Sequence, residues 1–144
     1  MEDNLHFEIG YLIRQASRIG GYKMDYKFEK AGYPITQEQW GIIRLLFEQN
    51  GQTQQSLAER LKKNKASITS LIENLEKKDL ISRMANKNDK RSKLVFLSEK
   101  GTILHNDMVE LVKEIVDVAV QDIPEENLHV TRDVLKKMIQ NIVK

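Results

Sequence analysis

There is no cysteine among the 144 residues. Disulfides, thiol nucleophiles, thiolate metal sites and thiol-based redox sensing are therefore excluded. Proline occurs twice and glycine seven times, so few positions force a break in helical structure. No hydrophobic run reaches the roughly 20 residues that span a membrane. Met1 to His6 carry acidic residues where a signal peptide carries basic ones. The expectation is a cytoplasmic chain with no membrane partner. His6, His105 and His129 lie far apart and in no metal-ligand spacing. A Gly-rich phosphate loop and a spaced nucleophile–base pair are both lacking. No metal, no cofactor and no enzymatic activity are expected.

What is present describes an ordinary globular chain, with 40% hydrophobic and 31% charged residues. The length suits one domain with a modest core, to which a partner surface would add stability. The net charge of +2 hides an uneven distribution. Gln52 to Lys100 hold twelve Lys and Arg against six Asp and Glu, while the remainder holds eleven against fifteen. A basic segment with acidic flanks reads either as a solvated face or as a surface for an anionic partner.

Hydrophobic spacing predicts helix, helix, helix, helix, hairpin, helix, helix. The first helix, about Leu5 to Lys30, carries Leu5, Ile9, Leu12, Ile13, Ala16 and Ile19, with Gly20 and Gly21 expected to bend or break it. Gly32 and Pro34 end it. Thr36 to Gln39 form a capping box ahead of Trp40, Ile43, Leu46 and Phe47, and Asn50-Gly51 is a C-terminal stop. Thr53 starts a short third helix, with Leu57, Ala58 and Leu61 inward. Asn64 caps a fourth, in which Ile68, Leu71, Ile72 and Leu75 form the apolar stripe. The period then shifts. Leu80 to Met84 and Leu94 to Leu97 read as two strands joined by a polar turn, Asn86 to Lys93. Ser98 caps a long helix with Leu104, Met108, Leu111, Val112, Ile115 and Ala119 on its apolar face. Pro124 suits the first turn of the last helix, where Leu128, Leu135 and Ile142 recur seven apart with Met138 between.

Two short helices followed by a basic hairpin make a winged helix-turn-helix. A helix is narrow enough for the DNA major groove, where base edges are distinguishable, and the helix before it braces it across the backbone. The fourth helix presents Lys65, Ala66, Ser67, Thr69 and Ser70 near its N-terminus, and Asn74 farther along. These short polar side chains suit close approach to bases, although a solvent-facing helix has the same composition. Lys62, Lys63 and Lys65 are long cations suited to phosphates. The hairpin turn carries Lys87, Lys90, Arg91 and Lys93, and an Arg at its tip can enter a narrow minor groove. Asp89 is out of place in a phosphate-binding loop unless it organises that loop, by pairing with Arg or by accepting backbone hydrogen bonds.

The stretch Asp89-Lys90-Arg91-Ser92-Lys93-Leu94-Val95-Phe96-Leu97-Ser98-Glu99-Lys100-Gly101 resembles the wing signature of the MarR family of bacterial regulators. Ser98 stands where Thr is usual. Leu57 to Leu61, Ser67 to Thr69 and Leu75 to Ile81 also resemble the family, with Asp79 where Gly is common, as does Thr36 to Leu46 with Gln39-Trp40. The resemblance covers Phe28 to Gly101 by motif and the outer segments by helix order only. It implies a mainly α fold: a winged helix-turn-helix at 35–100 with a two-stranded wing hairpin, and a helical dimerisation domain from 1–34 and 101–144, within one domain of 1–144. It further implies a homodimer that binds double-stranded DNA at an inverted repeat, most often as a repressor. Many relatives respond to a small aromatic or lipophilic effector in a crevice between the dimer helices and the winged head, which Tyr11, Trp40 and His105 could line; plain core is the better reading of Tyr11 and Trp40. The rival classes are a winged helix used for protein contact, which needs no cationic wing, and a small-molecule carrier, which needs no polar recognition helix.

Overall fold

The computed structural model describes residues 4–144. Of the segment read as lacking a signal peptide, Met1 to Asp3 lie outside the described residues. The elements are α1 (Asn4–Lys30), α2 (Gln37–Glu48), β1 (Gln52–Thr53), α3 (Gln54–Leu61), α4 (Lys65–Lys77), β2 (Ile81–Ala85), β3 (Lys93–Leu97), α5 (Glu99–Ala119) and α6 (Glu125–Ile142). They fall into two compact units, one ending at Val109 and one spanning Glu110–Lys144. No helix among the described residues is long and apolar enough to cross a membrane.

Of the two outcomes expected at Gly20 and Gly21, a break does not occur: α1 runs unbroken through both. Two interior glycines cost only about 1 kcal/mol each relative to Ala, which a long ladder of helical bonds absorbs. A Cβ on Gly21 would lie 3.6 Å from the Gln37 side chain, so the glycine lies where the start of α2 draws near. Asp25 fastens that approach, its Oδ1 accepting a 2.7 Å bond from the Gln37 amide. The helix stops at Gly32 in the left-handed region, φ +82°, with Tyr33 N–H donating to Phe28 C=O and Gly32 N–H to Glu29 C=O.

In the first unit, α2 is the central helix and packs on α1, α3, α4 and β3. The capping box forms as expected: Gln39 N–H donates to Thr36 Oγ1, and Thr36 N–H donates to Gln39 Oε1. Because α2 is covered on several sides, Ile42 and Leu45 are buried along with Trp40, Ile43 and Leu46. Phe28, Ile35, Leu57, Ile68, Ile72, Leu75, Leu80, Ile81, Val95 and Met108 complete the apolar interior. Burying such side chains is worth about 1.5–3 kcal/mol each, an upper bound that folding entropy largely offsets. Ala58, Leu61 and Leu71, expected to point inward, are half-buried.

The sheet has a member that the hydrophobic pattern did not reveal. β2 and β3 pair antiparallel as the expected hairpin, with Arg83 opposite Val95, and β1 adds a third strand on the other side of β3, with Gln52 opposite Val95. Two residues are too few to show alternation, so β1 exists only through its partner. Asn50 and Gly51 steer the chain into it: Gly51 N–H donates to Val95 C=O, and Asn50 Oδ1 accepts from Leu97 N–H.

Ser98 caps α5 by accepting from Gly101 N–H at 3.0 Å, while its hydroxyl donates to Asp79 C=O. Asp79 has φ +59° and closes α4: Leu80 N–H donates to Leu75 C=O and Asp79 N–H to Glu76 C=O. The left-handed backbone explains why Gly suits this position and why Asp is the tolerable departure.

The unit of Glu110–Lys144 holds the end of α5 and α6. Leu111, Val112, Ile115, Leu128 and Met138 are half-buried, and α6 has no buried residue. Ala119, Leu135 and Ile142, expected on apolar faces, are exposed.

Candidate nucleic-acid interface

The helix-turn-helix is built by two caps. Thr53 Oγ1 accepts from Ser56 N–H at 3.0 Å and starts α3. α3 ends at Lys62, φ +55°, where Lys63 N–H donates to Ala58 C=O. Asn64 Oδ1 then accepts from Ser67 N–H at 2.8 Å and starts α4. Only Lys62, Lys63 and Asn64 separate the two helices, so the angle between them is set by a left-handed turn and a cap.

Burial of Ile68, Ile72 and Leu75 turns the opposite face of α4 outward. Lys65, Ala66 and Ser70 are exposed, and Ser67 and Thr69 are half-buried. The N-terminus of α4 carries the positive end of the helix dipole beside three lysines and suits a phosphate. Lys62 and Lys65 have no acidic partner among the described residues, whereas Lys63 pairs with Glu38 at 2.9 Å. Asn74 is also engaged: its Oδ1 accepts a 2.7 Å bond from Nε2 of the buried Gln39.

The wing tip is ordered by its own polar side chains. Asp89 Oδ1 accepts from Arg91 N–H at 2.9 Å, Asn86 Oδ1 accepts from Asn88 N–H at 3.0 Å, and Asn86 Nδ2 donates to Ser92 Oγ at 3.0 Å. Of the two roles open to Asp89, it takes the backbone one. Its charge folds the loop and leaves the Arg91 guanidinium free. Lys87, Lys90, Arg91 and Lys93 are all exposed and have no acidic partner among the described residues.

Sequence reasoning missed Arg83, Glu76 and Gln54. Arg83 Nη2 and Nε donate to the two carboxylate oxygens of Glu76 at 2.9 and 3.2 Å, and Nη1 donates to Gln54 Oε1 at 3.3 Å. The hydrogen bond from Arg83 holds the Glu76 carboxyl below the ordinary glutamate value, and the charges of Arg83 and Lys93 reinforce it against burial. The two residues are seven apart across a turn and a change of period, a spacing that marks no pair in either helix or strand.

The candidate crevice residues are not all brought together. His105 is buried, with its ring 3.7 Å from that of Phe47 and 5.2 Å from that of Trp40, nearly parallel to both. Phe47 keeps 49% of its surface exposed, but one face covers His105. Tyr11 is apart from this stack, 55% exposed on α1, where it lines a shallow hollow with Arg14, Gln15 and Arg18. No group of three His, Asp or Glu able to hold a metal occurs among the described residues.

The sequence pattern of the MarR family matches residues 35–93, which run from the start of α2 to the start of β3. The transcriptional regulator FarR of Neisseria gonorrhoeae is 32% identical over 104 residues, 72% of this chain and 71% of FarR. The chain belongs to the MarR family. The regulator MhqR of Bacillus subtilis is 26% identical over 88% of this chain and 86% of its own. Among solved structures, MepR of S. aureus in complex with DNA superposes with a TM-score of 0.82 at 30% identity, covering 92% of this chain and 96% of MepR. These MarR relatives are transcriptional regulators, not enzymes.

Proposed function

We propose that this MarR protein is a sequence-specific regulator that binds double-stranded DNA as a homodimer and represses by occupying its operator. The observation that carries this reading is the joint presentation of an outward α4 N-terminus and a folded wing whose Lys87, Lys90, Arg91 and Lys93 have no acidic partner among the described residues. Four free cations on one loop are a costly concentration of like charge unless an anion neutralises them. Ser67, Thr69 and Ser70 would read base edges, Arg91 would enter the minor groove, and Lys62, Lys65, Lys90 and Lys93 would hold phosphates.

The dimer is supported by apolar surface. On α1, Leu5, Phe7, Leu12 and Ile19 are each more than half exposed, and on α6 Val130 and Ile142 are 63% and 77% exposed. Helices of such composition need cover, and a second copy supplies it symmetrically. Two identical heads call for an inverted repeat with half-sites a helical turn apart. A small aromatic or lipophilic effector follows from the family; the hollow of Tyr11, Arg14, Gln15 and Arg18 suits an anionic member of that class. Duplex DNA as target puts the protein's work in the cytoplasm.

Selection of bound sequences from random duplex DNA tests this reading. Enrichment of an inverted repeat is expected. Recovery of no motif, with salt-independent binding, would shift the winged head to the rival role of protein contact.

A further inference from the structure

We infer that Arg83 is a positioning residue that locks the wing to the recognition helix, so that both meet DNA as one rigid body; the inference rests on the DNA-binding reading above. Arg83 lies in β2, opposite Val95 of the central strand, and its side chain leaves the sheet toward α4. Its guanidinium grips both oxygens of Glu76 in α4 and reaches Gln54 at the start of α3. Gln54 Nε2 in turn donates to Thr69 Oγ1 at 3.4 Å, on the outward turn of α4. The circuit Thr69, Gln54, Arg83, Glu76 therefore leaves α4, crosses α3 and β2, and returns to α4 two turns later. It ties the groove-facing turn and the wing strand to one planar group.

The circuit is more than another surface ion pair. The Arg83 and Glu76 side chains are 22% and 38% exposed, so solvent screens the pair and its share of stability is small. What a two-pronged Arg–carboxylate contact supplies is direction, because the planar fork accepts one orientation where an ammonium accepts many. The wing needs that direction. A two-stranded ribbon is marginal by itself, and β1 supports β3 over only two residues, Gln52 and Thr53. Within the hairpin, Arg83 is the cation with an acidic partner among the described residues; the others are free.

A double-mutant cycle tests this, with affinity measured on a duplex recovered by selection from random DNA. Arg91→Ala removes a contact at each of two heads and should weaken the parent dimer by at least about thirtyfold. In Arg83→Met the wing is already out of place and the Arg91 contact already lost, so Arg91→Ala should add less than about twofold. Arg83→Lys keeps the charge but not the fork and should behave like Arg83→Met. Should Arg83→Met fail to fold by circular dichroism, Glu76→Gln enters the same cycle, with the same non-additive losses expected. Losses that multiply, parental affinity in Arg83→Met, or full rescue by Arg83→Lys would each overturn the inference alone. A parent that binds no duplex would overturn the DNA-binding reading and this inference with it.

Discussion

Gly101 leaves no room for substitution. A Cβ there would lie 2.2 Å from Leu80 C=O and 3.0 Å from Leu97 Cδ2, so the start of α5 rests on the backbone that enters β2. The clash is with main chain and cannot be relieved by a rotamer change. Gly101→Ala should therefore lower stability by at least about 1–3 kcal/mol, read as a drop in the urea midpoint without change in slope. Glu76 makes a second residue-level prediction. Its native pKa is depressed, so its pairing contributes stability above the ordinary glutamate value, and that contribution is lost as pH falls through the native value. Glu76→Gln should be less stable than the parent near neutral pH, and the gap should close as pH falls below about 4. Melting curves across that range check it; a gap that stays constant in acid would show that the pair is not the cause.

In the proposed DNA complex, the contributions of the wing and α4 should separate by side-chain type. Asp89 accepts the Arg91 amide, so Asp89→Ala should weaken binding by disordering the turn, while Arg91→Ala should weaken it with the turn intact. The loss for Arg91→Ala should be about 1–3 kcal/mol per head by titration of labelled duplex. Chemical shifts of the turn amides should move in the first variant and stay in the second. Lys93→Ala removes one phosphate partner from each head and should lower the slope of log affinity against log salt by about 0.9 per head, equally on selected and random DNA. Ser70→Ala should leave that slope alone and shrink the ratio of selected to random affinity.

The proposed dimer depends on the exposed apolar surface of α1 and α6. Leu135 is 37% exposed on α6, in a helix with no buried residue. Leu135→Glu should move the protein from dimer to monomer by light scattering at micromolar concentration, and weaken DNA binding with it. A native monomer at that concentration would defeat the dimer reading. The stack of Phe47, His105 and Trp40 belongs to the same scale, because it joins α2 to α5 within the first unit, where sequence reading offered Trp40 and His105 as crevice residues.

The sequence by itself determined whatever is encoded locally. Thr36, Thr53, Asn64 and Ser98 cap the helices they were expected to cap, because a cap is a bond between residues three apart. The hairpin was legible from the change of period, and the wing from residues adjacent in the chain. Only the tertiary structure decided what depends on distant partners. Strand β1 exists because Val95 C=O is beside Gly51 N–H, the Arg83–Glu76–Gln54–Thr69 circuit because three elements meet, and the unbroken α1 because packing and helical bonds outweigh two glycines. His105 lies between two aromatic rings because α5 crosses α2, a fact that no spacing within α5 contains. Short-range bonds leave a signature in the order of residues; bonds closed by folding leave theirs only in space.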